Sequence, residues 1–429
     1  MDIRSIAFDI YQKSLDSAYA GSEAAADMKD LSPQETAFIK RLVMTALRRQ
    51  EFIKSVIRSY AAKKIPARPD TAHTAIILGA VEILYFRTPD YATVNSYVEL
   101  AKKKGNKYAG GFVNAILHKI CRDREQIAAR PPLPFFSLAF NEMLRRDYSK
   151  KQIASIEKAA AEEPALDITV IDDPEGWCQK LGGRLMGNGT IRLDNAGSVA
   201  ELPGFKDGRW WVQDFSASLP VTALGNIAGK TVLDLCAAPG GKTAQLIARG
   251  AVVTALDISD TRLRTMEENL ARLQMKAEKL KAANAIDYLR DCPQYDIVLL
   301  DAPCSADGTL RRHPEIVHTR TVADIRRAAD FQQKLLNAAV RAVAPGGMLM
   351  YAVCSMSKEE GEKQIEAFIK THPDFSIAPV CPEEINLFDQ DGFKQLITPE
   401  GFIRCLPDML GGIDGFFAAR LKKDQTHNC

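Results

Sequence analysis

The chain has 429 residues, of which 46% are hydrophobic and 26% are charged, a balance typical of soluble globular proteins. At roughly 100–200 residues per domain, this length predicts two or three domains. The net charge of only +2 excludes a strongly basic protein. A nucleic acid needs only a local basic face, however, so such a partner is neither required nor excluded.

Targeting and metal-binding patterns are missing from the sequence. The N-terminus has no apolar core followed by small residues, so it does not encode a signal peptide. The most apolar stretch, residues 74–86, is short and includes Glu82, which indicates a buried helix. No two of the nine cysteines are three residues apart, and there are only six histidines. We therefore expect a cytoplasmic protein with reduced thiols, no membrane partner and no metal.

The first third of the chain is predicted to be helical. Residues 32–35 (Ser-Pro-Gln-Glu) combine an N-cap hydroxyl, a proline at the first helical position and a glutamate three residues after the cap. Apolar residues then recur at helical spacing from Phe38 to Leu47. Further helices are predicted near residues 74–86, 94–103 and 111–121. Strand signals are nearly absent, so we expect an all-α domain over residues 1–130.

Prolines at positions 131, 132 and 134 interrupt the helical pattern, because proline cannot continue a helix. We expect a small α+β linker domain over residues 131–225, with a helix near 151–162 and a strand near 166–171. From Thr231 onward, short apolar runs alternate with helical segments, which is typical of a doubly wound, mostly parallel sheet. The predicted strands are 232–235, 252–256, 297–300 and 348–353. This pattern predicts a Rossmann-like α/β domain over residues 226–429.

A glycine-containing loop follows the first of these strands. Residues 236–243 (Cys-Ala-Ala-Pro-Gly-Gly-Lys-Thr) lead from the strand into a helix, where backbone N–H groups can approach a ligand. Asp257, at the end of the next strand, is placed to accept hydrogen bonds from ribose hydroxyls. The loop matches neither the dinucleotide pattern nor a P-loop. S-adenosylmethionine is therefore the cofactor that fits best, although a plain structural turn is the alternative.

Two cysteines follow strands of the same predicted sheet. Cys304 comes after a strand that ends in Asp301, and Cys354 comes directly after the strand over 348–353. Ligands of open parallel sheets bind at the carboxyl ends of the strands. Ordinary core cysteine is the common alternative. The placement of both thiols at strand ends, with Asp301 alongside, favours a catalytic role.

Thiols at these positions suit one reaction in particular. A thiolate that adds to carbon 6 of a cytosine makes carbon 5 nucleophilic enough to take a methyl group, which is covalent catalysis. Asp301 is a candidate to stabilise the adduct at ring nitrogen 3, either as an acid or through a water that it orients. A second cysteine suits the final expulsion of the first. The nucleophile needs a nearby group that favours the thiolate, and the sequence does not identify that group.

Four segments carry a resemblance to a known family. They are residues 236–243, residues 300–305 (Leu-Asp-Ala-Pro-Cys-Ser), residues 308–316 (Gly-Thr-Leu-Arg-Arg-His-Pro-Glu-Ile) and residues 353–355 (Val-Cys-Ser). They resemble the RNA 5-methylcytosine methyltransferases of the NOL1/NOP2/Sun group. Residues 92–98 and 112–117 resemble later helices of a NusB-type RNA-binding domain. Together they resemble the bacterial Sun/RsmB branch, which implies methylation of carbon 5 of a cytosine in 16S ribosomal RNA.

The resemblance implies a role for each matched residue. Cys354 would be the covalent nucleophile, Cys304 would assist product release, and Asp301 would line both cofactor and base. The residues implied to bind S-adenosylmethionine are Cys236, Ala237, Ala238, Pro239, Gly240, Gly241, Lys242, Asp257 and Asp301. The implied partner is small-subunit ribosomal RNA, free or in early assembly. We expect the protein to be a monomer.

The chain departs from the family pattern at two places. Asn284 stands where the family usually has an aspartate near the adenine, and we include it among the cofactor-binding residues because its amide can both donate and accept. Residues 166–171 lack the Arg-Val-Asn of many relatives. Asn284 is the one feature that favours a second hypothesis, a non-catalytic RNA-binding or assembly factor. A small-molecule methyltransferase explains neither the helical domain nor the paired cysteines.

Overall fold

A computed structural model describes residues 2–16, 28–61, 69–86, 88–105, 108–131, 135–194 and 196–425. The chain divides into two compact units. The first, which we call the helical unit, is Met1–Met143 with His313–Arg320, and the second, the α/β unit, is Leu144–Arg312 with Thr321–Cys429. The prolines at positions 131, 132 and 134 are predicted to interrupt the helical pattern, and residues 132–134 lie outside the described part of the chain.

The helices and strands described in the chain are as follows. The helices are α1 Ile3–Ser14, α2 Pro33–Tyr60, α3 Thr71–Tyr85, α4 Asp90–Lys104, α5 Ala109–Arg122, α6 Arg124–Ala128, α7 Leu138–Leu144, α8 Lys150–Ala160, α9 Pro174–Leu181, α10 Phe215–Thr222, α11 Gly241–Ala248, α12 Asp260–Arg272, α13 Ala285–Tyr288, α14 Ile316–Thr319, α15 Val322–Ala339, α16 Glu362–Thr371 and α17 Pro382–Ile385. The strands are β1 Leu166–Val170, β2 Arg184–Leu185, β3 Ile191–Leu193, β4 Trp210–Val212, β5 Thr231–Leu235, β6 Val252–Asp257, β7 Lys279–Ala282, β8 Tyr295–Asp301, β9 Val343–Val353, β10 Phe375–Ile377, β11 Ile403–Cys405 and β12 Phe416–Lys423.

The helical unit confirms the predicted all-α fold of the first third. Ser32 caps α2 in a capping box, in which Glu35 N donates to Ser32 Oγ over 3.3 Å and Ser32 N donates to Glu35 Oε2 over 2.9 Å. The apolar stripe of α2 is buried, and α3 is buried along most of its length, as its apolar sequence predicts. None of the helices described is long and apolar enough to cross a membrane.

One buried carboxylate lies in the core of the helical unit. Glu82 on α3 is fully buried, and the guanidinium of Arg4 donates to its two oxygens over 3.0 and 2.8 Å. Tyr97 Oη donates a third hydrogen bond to Glu82 over 2.5 Å. Because both oxygens have donors, the burial cost of this charge is offset locally.

The segment His313–Arg320 packs within the helical unit although it lies far along the sequence. His318 Nδ1 accepts from Gln50 Nε2 over 3.1 Å, and its Nε2 donates to the carbonyl of Leu47 over 2.9 Å. Burial lowers the pKa of His318, which agrees with a neutral ring that accepts on one nitrogen and donates from the other. Ser137 Oγ donates to the carbonyl of Val317 over 2.9 Å.

The α/β unit contains two sheets. The smaller is antiparallel with strand order β2-β3-β1-β4. The larger has the order β10-β12-β9-β8-β5-β6-β7, and β11 pairs with residues 416–418 of β12. Strands β5 to β9 are parallel, which confirms the Rossmann-like prediction, whereas β12 runs antiparallel between β9 and β10.

The strand order reverses on either side of β5, whose neighbours are β6 and β8. In doubly wound sheets, this reversal opens a crevice at the carboxyl ends of the strands, where ligands bind. The strand order therefore brings three loops to one edge of the sheet: the loop after β5, the loop after β8 and the loop after β9.

Candidate active site

The loop after β5 has a backbone that requires glycine at its end. Cys236 follows the strand with a φ of 61°, and Gly240 has a φ of 99° as the N-cap of α11. A Cβ atom on Gly240 would lie 2.6 Å from Cγ of Met266, so a side chain has no room there. The loop therefore brings its backbone close to the edge of the sheet and exposes the N-terminus of α11.

Asp257 ends β6 and is bonded to this loop. Its Oδ2 accepts from the backbone N–H of Ala238 over 3.1 Å, and its Oδ1 accepts from Ser259 N over 2.9 Å. The guanidinium of Arg262 lies 3.5 Å from Oδ2 of Asp257 and donates to the carbonyl of Ala238. The sequence prediction did not include Arg262, which has no motif of its own.

Asn284 lies after β7, the strand next to β6, so it belongs to the same edge of the sheet. Its side chain is exposed, and its amide oxygen accepts from Ile286 N over 2.9 Å as the N-cap of α13. The amide group can still donate, which is the capacity that the sequence prediction assigned to it.

Lys242 and Asp301 form an ion pair at the centre of this edge. The Lys242 Nζ lies 2.8 Å from Asp301 Oδ2, although 59 residues separate the two in sequence. Burial lowers the pKa of Lys242, but the charge and hydrogen bond of Asp301 outweigh burial, so the pKa is raised. The sulfur of Cys354 also contributes to the raised pKa of Lys242. An ammonium group is therefore held against a carboxylate, and it interacts electrostatically with Cys354.

A buried acid lies beneath the loop. Asp234 in β5 is fully buried, and Thr243 Oγ1 donates to its Oδ2 over 2.5 Å. Its Oδ1 is buried with no hydrogen-bond partner. Burial raises the pKa of Asp234 to about 7, and the charge of Asp301 adds to the increase.

The two cysteines at the strand ends meet. Asp301 in β8 is paired with Ala352 in the adjacent parallel strand β9, so Cys304 and Cys354 follow neighbouring strand ends. Their sulfur atoms lie 3.3 Å apart, both side chains are partly exposed, and both cysteines are free. The thiols therefore share one face and one opening.

The contact with Cys354 raises the pKa of Cys304. The pKa of Cys304 is raised well above its ordinary value, first by the hydrogen bond with Cys354 and then by burial. Either cysteine can be the donor in the contact between the two sulfurs.

The sequence analysis also missed a group of hydrogen-bonded residues next to the thiols. Ser305 and Ser355 each follow a cysteine, and both donate to the buried carboxylate of Glu360. The repeated Cys-Ser pair was a signal in the sequence that the two loops share a binding partner. Among the residues that the structure describes, no group of three or more His, Cys, Asp or Glu side chains could hold a metal ion.

Comparison with known proteins identifies the family of this chain. Residues 221–422 match the model of the 16S rRNA methyltransferase RsmB/F family, and residues 1–122 match the NusB family. Curated relatives include the ribosomal RNA small subunit methyltransferase B of Vibrio cholerae, which is 30% identical over 99% of this chain and 98% of its own length. The chain belongs to the RsmB/F family of 16S rRNA methyltransferases. As a member, it is an S-adenosylmethionine-dependent methyltransferase.

Further relatives agree with this assignment. The protein of the same name from Cronobacter sakazakii is 31% identical over 99% of both chains. The crystal structure of PH0851 shares the fold over 99% of both chains, with a TM-score of 0.76 and 22% identity. A methyltransferase homolog from Pyrococcus horikoshii matches 67% of this chain and 99% of its own, with a TM-score of 0.53 and 26% identity.

Proposed function

We propose that this family member methylates carbon 5 of a cytosine in 16S ribosomal RNA, with Cys354 as the covalent nucleophile. The observation that carries the proposal is the pair of sulfur atoms 3.3 Å apart at adjacent strand ends. The relatives named as ribosomal RNA small subunit methyltransferases support the substrate class.

The residues at the sheet edge fit S-adenosylmethionine, which supplies a methyl group bonded to a sulfonium when it is bound. The tight turn at Gly240 places the N-terminus of α11 at the sheet edge, where backbone N–H groups can donate to a ligand. Asp257 has lone pairs beyond those used by Ala238 and Ser259, and they can accept from ribose hydroxyls. Asn284 would contact the adenine from the next strand end.

The nucleophile needs a thiolate, and two neighbours support one at Cys354. Lys242 places a positive charge beside the sulfur, and Cys304 can donate its S–H across 3.3 Å. The thiolate adds to carbon 6 of the cytosine, and the electron pair displaced from the C5–C6 double bond makes carbon 5 the methyl acceptor. Lys242 is therefore our candidate for the group that favours the thiolate, which the sequence alone did not identify.

Cys304 becomes a stronger acid after the adduct forms. Bonding of Cys354 to carbon 6 removes the hydrogen bond and the charge that together raise the pKa of Cys304. The partly exposed Cys304 can then give its proton to solvent water and, as a thiolate, accept the proton from carbon 5 after methylation. The electrons of that C–H bond restore the C5–C6 double bond, and the Cys354 thiolate leaves.

Asp301 orients Lys242 and has a second oxygen available for the substrate. Its Oδ2 holds Lys242, which leaves Oδ1 to accept from the amino group of a cytosine or to orient a water toward ring nitrogen 3. We assign it to both the cofactor and the base, because it lies between the loop after β5 and the thiols.

The RNA must present an unstacked base to reach the thiols. Such enzymes take the base out of its stack or act on single-stranded loops, since A-form helices hide base edges. We propose that residues 1–130 are an RNA-binding domain, that residues 131–225 are a linker domain that contacts RNA, and that residues 226–429 are catalytic. The proposed substrate is small-subunit RNA, free or in early assembly, and the protein acts as a monomer.

Replacement of Cys354 tests the proposal directly. Cys354→Ala should lower methyl transfer to unmodified 16S ribosomal RNA by at least about 10³-fold, because the covalent step is lost. Transfer of labelled methyl from S-adenosylmethionine is the measurement, and calorimetry of S-adenosylmethionine binding controls for the fold of the site. Turnover at the wild-type rate would refute the assignment of the nucleophile.

Replacement of Cys304 should give a different defect. Cys304→Ala should form the adduct but release it slowly, so a covalent RNA–protein species should accumulate on a denaturing gel. The double variant with Cys354→Ala should show no such band. A Cys304→Ala variant that turns over freely without adduct would remove the release role.

A further inference from the structure

A buried carboxylate lies between the two cysteine loops. Glu360 is fully buried, and it accepts from the backbone N–H of Ser305 over 2.8 Å and from Ser305 Oγ over 2.5 Å. Ser355 Oγ donates to it over 2.6 Å, and Gln332 Nε2 donates over 2.9 Å. Neutral donors thus surround both carboxylate oxygens, and the described part of the chain shows no cation paired with Glu360.

These donors lie next to the thiols. Ser305 follows Cys304, and Ser355 follows Cys354, so each cysteine is one peptide bond from a serine that Glu360 holds. Gln332 Nε2 also donates to the carbonyl of Pro303 over 2.9 Å, which fixes the residue before Cys304. Glu360 is therefore the common partner of two loops that come from different strands.

The carboxylate is itself held in place. Tyr351 Oη donates to the backbone carbonyl of Glu360 over 2.7 Å, and Arg404 donates to the carbonyl of Ser355 over 2.8 Å. Tyr351, Gln332 and Glu360 are all buried, so the loops cannot exchange these bonds for bonds to water without unpacking. Because Glu360 is fixed, its bonds to Ser305 and Ser355 also restrain the backbone of the adjacent cysteines.

We propose that Glu360 is a positioning residue that holds Cys304 and Cys354 within reach of the same pyrimidine. The inference rests on the proposed function, because it assumes that both thiols act on one base. It adds a specific requirement, which is that a neutral amide at position 360 holds the two loops less firmly than the carboxylate does. A glutamine has only one acceptor oxygen, so its NH₂ group would either oppose the N–H of Ser305 or donate to the two serine hydroxyls. In the second case the two charge-assisted bonds to the hydroxyls are replaced by weaker neutral ones.

The first test measures the geometry of the thiols without any methyl transfer. Diamide oxidises two close thiols to a disulfide, taking up their two hydrogens and two electrons at its N=N bond. In the wild-type chain, the Cys304–Cys354 disulfide should form rapidly and be detected by mass spectrometry of proteolytic peptides. In Glu360→Gln its rate should fall at least about tenfold, because small displacements of reacting atoms slow reactions strongly. Glu366→Gln, an exposed glutamate on α16, is the matched control and should oxidise like the wild type.

The second test measures catalysis. Glu360→Gln should lower kcat by about 10–100-fold with little change in the KM for S-adenosylmethionine, because the cofactor loop is not bonded to Glu360. It should also accumulate the covalent RNA adduct, since Cys304 would be misplaced for release. A merely structural role would lower the yield of folded protein without an adduct. Glu360→Asp keeps the charge with a shorter reach, so it should restore part of kcat.

The outcomes separate this proposal from the proposed function. Disulfide formation in folded Glu360→Gln within twofold of the wild-type rate would overturn the positioning role. If that rate falls while Cys354→Ala keeps full methyl transfer, the positioning role stands and the covalent mechanism fails. If Glu360→Gln does not fold, Ser355→Ala removes one of the bonds at Cys354 and keeps the carboxylate. A wild-type rate of disulfide formation in that variant would equally overturn the inference.

Discussion

Some buried carboxylates of the α/β unit are less completely hydrogen-bonded than Glu82 of the helical unit. In the helical unit, Glu82 has donors on both oxygens from Arg4 and Tyr97. In the α/β unit, the buried acids Asp234, Asp307 and Asp414 each keep one oxygen without a hydrogen-bond partner. Burial is the first cause that raises the pKa of each of these three aspartates. Glu82 is thus bonded at both oxygens, whereas these three aspartates are bonded at only one.

Two of these three aspartates lie close to the proposed active site. Asp234 lies beneath the cofactor loop, bonded to Thr243, and Asp307 lies three residues after Cys304. Asp307 Oδ1 accepts from the N–H of Met356, two residues after Cys354, over 2.7 Å. Local costs of this kind concentrate at functional sites, where geometry for chemistry competes with stability. Glu82, in contrast, has hydrogen-bond donors on both of its oxygens.

The largest expected effect comes from removing the Arg4 donors to Glu82 in the helical unit. Arg4→Met removes two donors from the buried carboxylate of Glu82, so it should lower the free energy of unfolding by about 3–5 kcal/mol. Urea unfolding of the full chain measures the loss. Adding Glu82→Gln should recover at least half of it, because the orphaned charge is gone. A loss below about 1 kcal/mol for Arg4→Met would contradict the importance of the pair.

The next effect concerns the site itself. Lys242→Met removes the charge beside Cys354, so it should lower kcat by about 100-fold and slow the alkylation of Cys354 by iodoacetamide. Steady-state methyl transfer and peptide mass spectrometry are the measurements. Lys230→Met is the control, since Lys230 is an exposed lysine beside the opposite end of β5. Unchanged alkylation of Cys354 in Lys242→Met would exclude Lys242 as the group that favours the thiolate.

A pH-dependent effect follows from Asp234. Its folded pKa of about 7 exceeds the ordinary value, so the native state binds an extra proton between about pH 4 and 7. Stability from this group is present below that window and is lost as the pH rises to 7. Asp234→Asn mimics the protonated acid and should make the slope of unfolding free energy against pH less negative by up to about 1.4 kcal/mol per unit.

Urea unfolding between pH 4.5 and 6.5 measures that slope. Asp291→Asn, at an exposed position, should leave it as in the wild type. A slope in Asp234→Asn equal to that of the wild type would show that Asp234 does not hold the proton.

The smallest effects should be alike in the two units. Ser32 caps α2 in the helical unit, and Thr321 caps α15 in the α/β unit, each in a capping box. Replacing either by alanine should cost about 1 kcal/mol, because each helix loses one bond to a free N–H group. A shift in Tm of about 2–4 °C in calorimetry is expected for each. Loss of methyl transfer in Ser32→Ala beyond its loss of stability would contradict a purely structural cap.

Local patterns in the sequence determined the elements and the ends of the strands. The capping motif at Ser32 predicted the start of α2, and the predicted strands over 232–235, 252–256, 297–300 and 348–353 all lie within strands of the sheet. Such signals are local, because caps, apolar periods and glycine turns act over a few residues. They therefore located each cysteine at the end of a strand. The roles of the site residues and the three-domain division remain predictions.

Only the tertiary structure decided which of these ends meet. The order of strands in the sheet made β8 and β9 neighbours, and so brought the sulfurs of Cys304 and Cys354 to 3.3 Å. It also paired Lys242 with Asp301, inserted β12 antiparallel beside β9, and placed Glu360 beneath both cysteine loops. These contacts join residues far apart in sequence, and they depend on how strands assemble. No local pattern encodes that assembly, because the same strand sequence can pair with several neighbours.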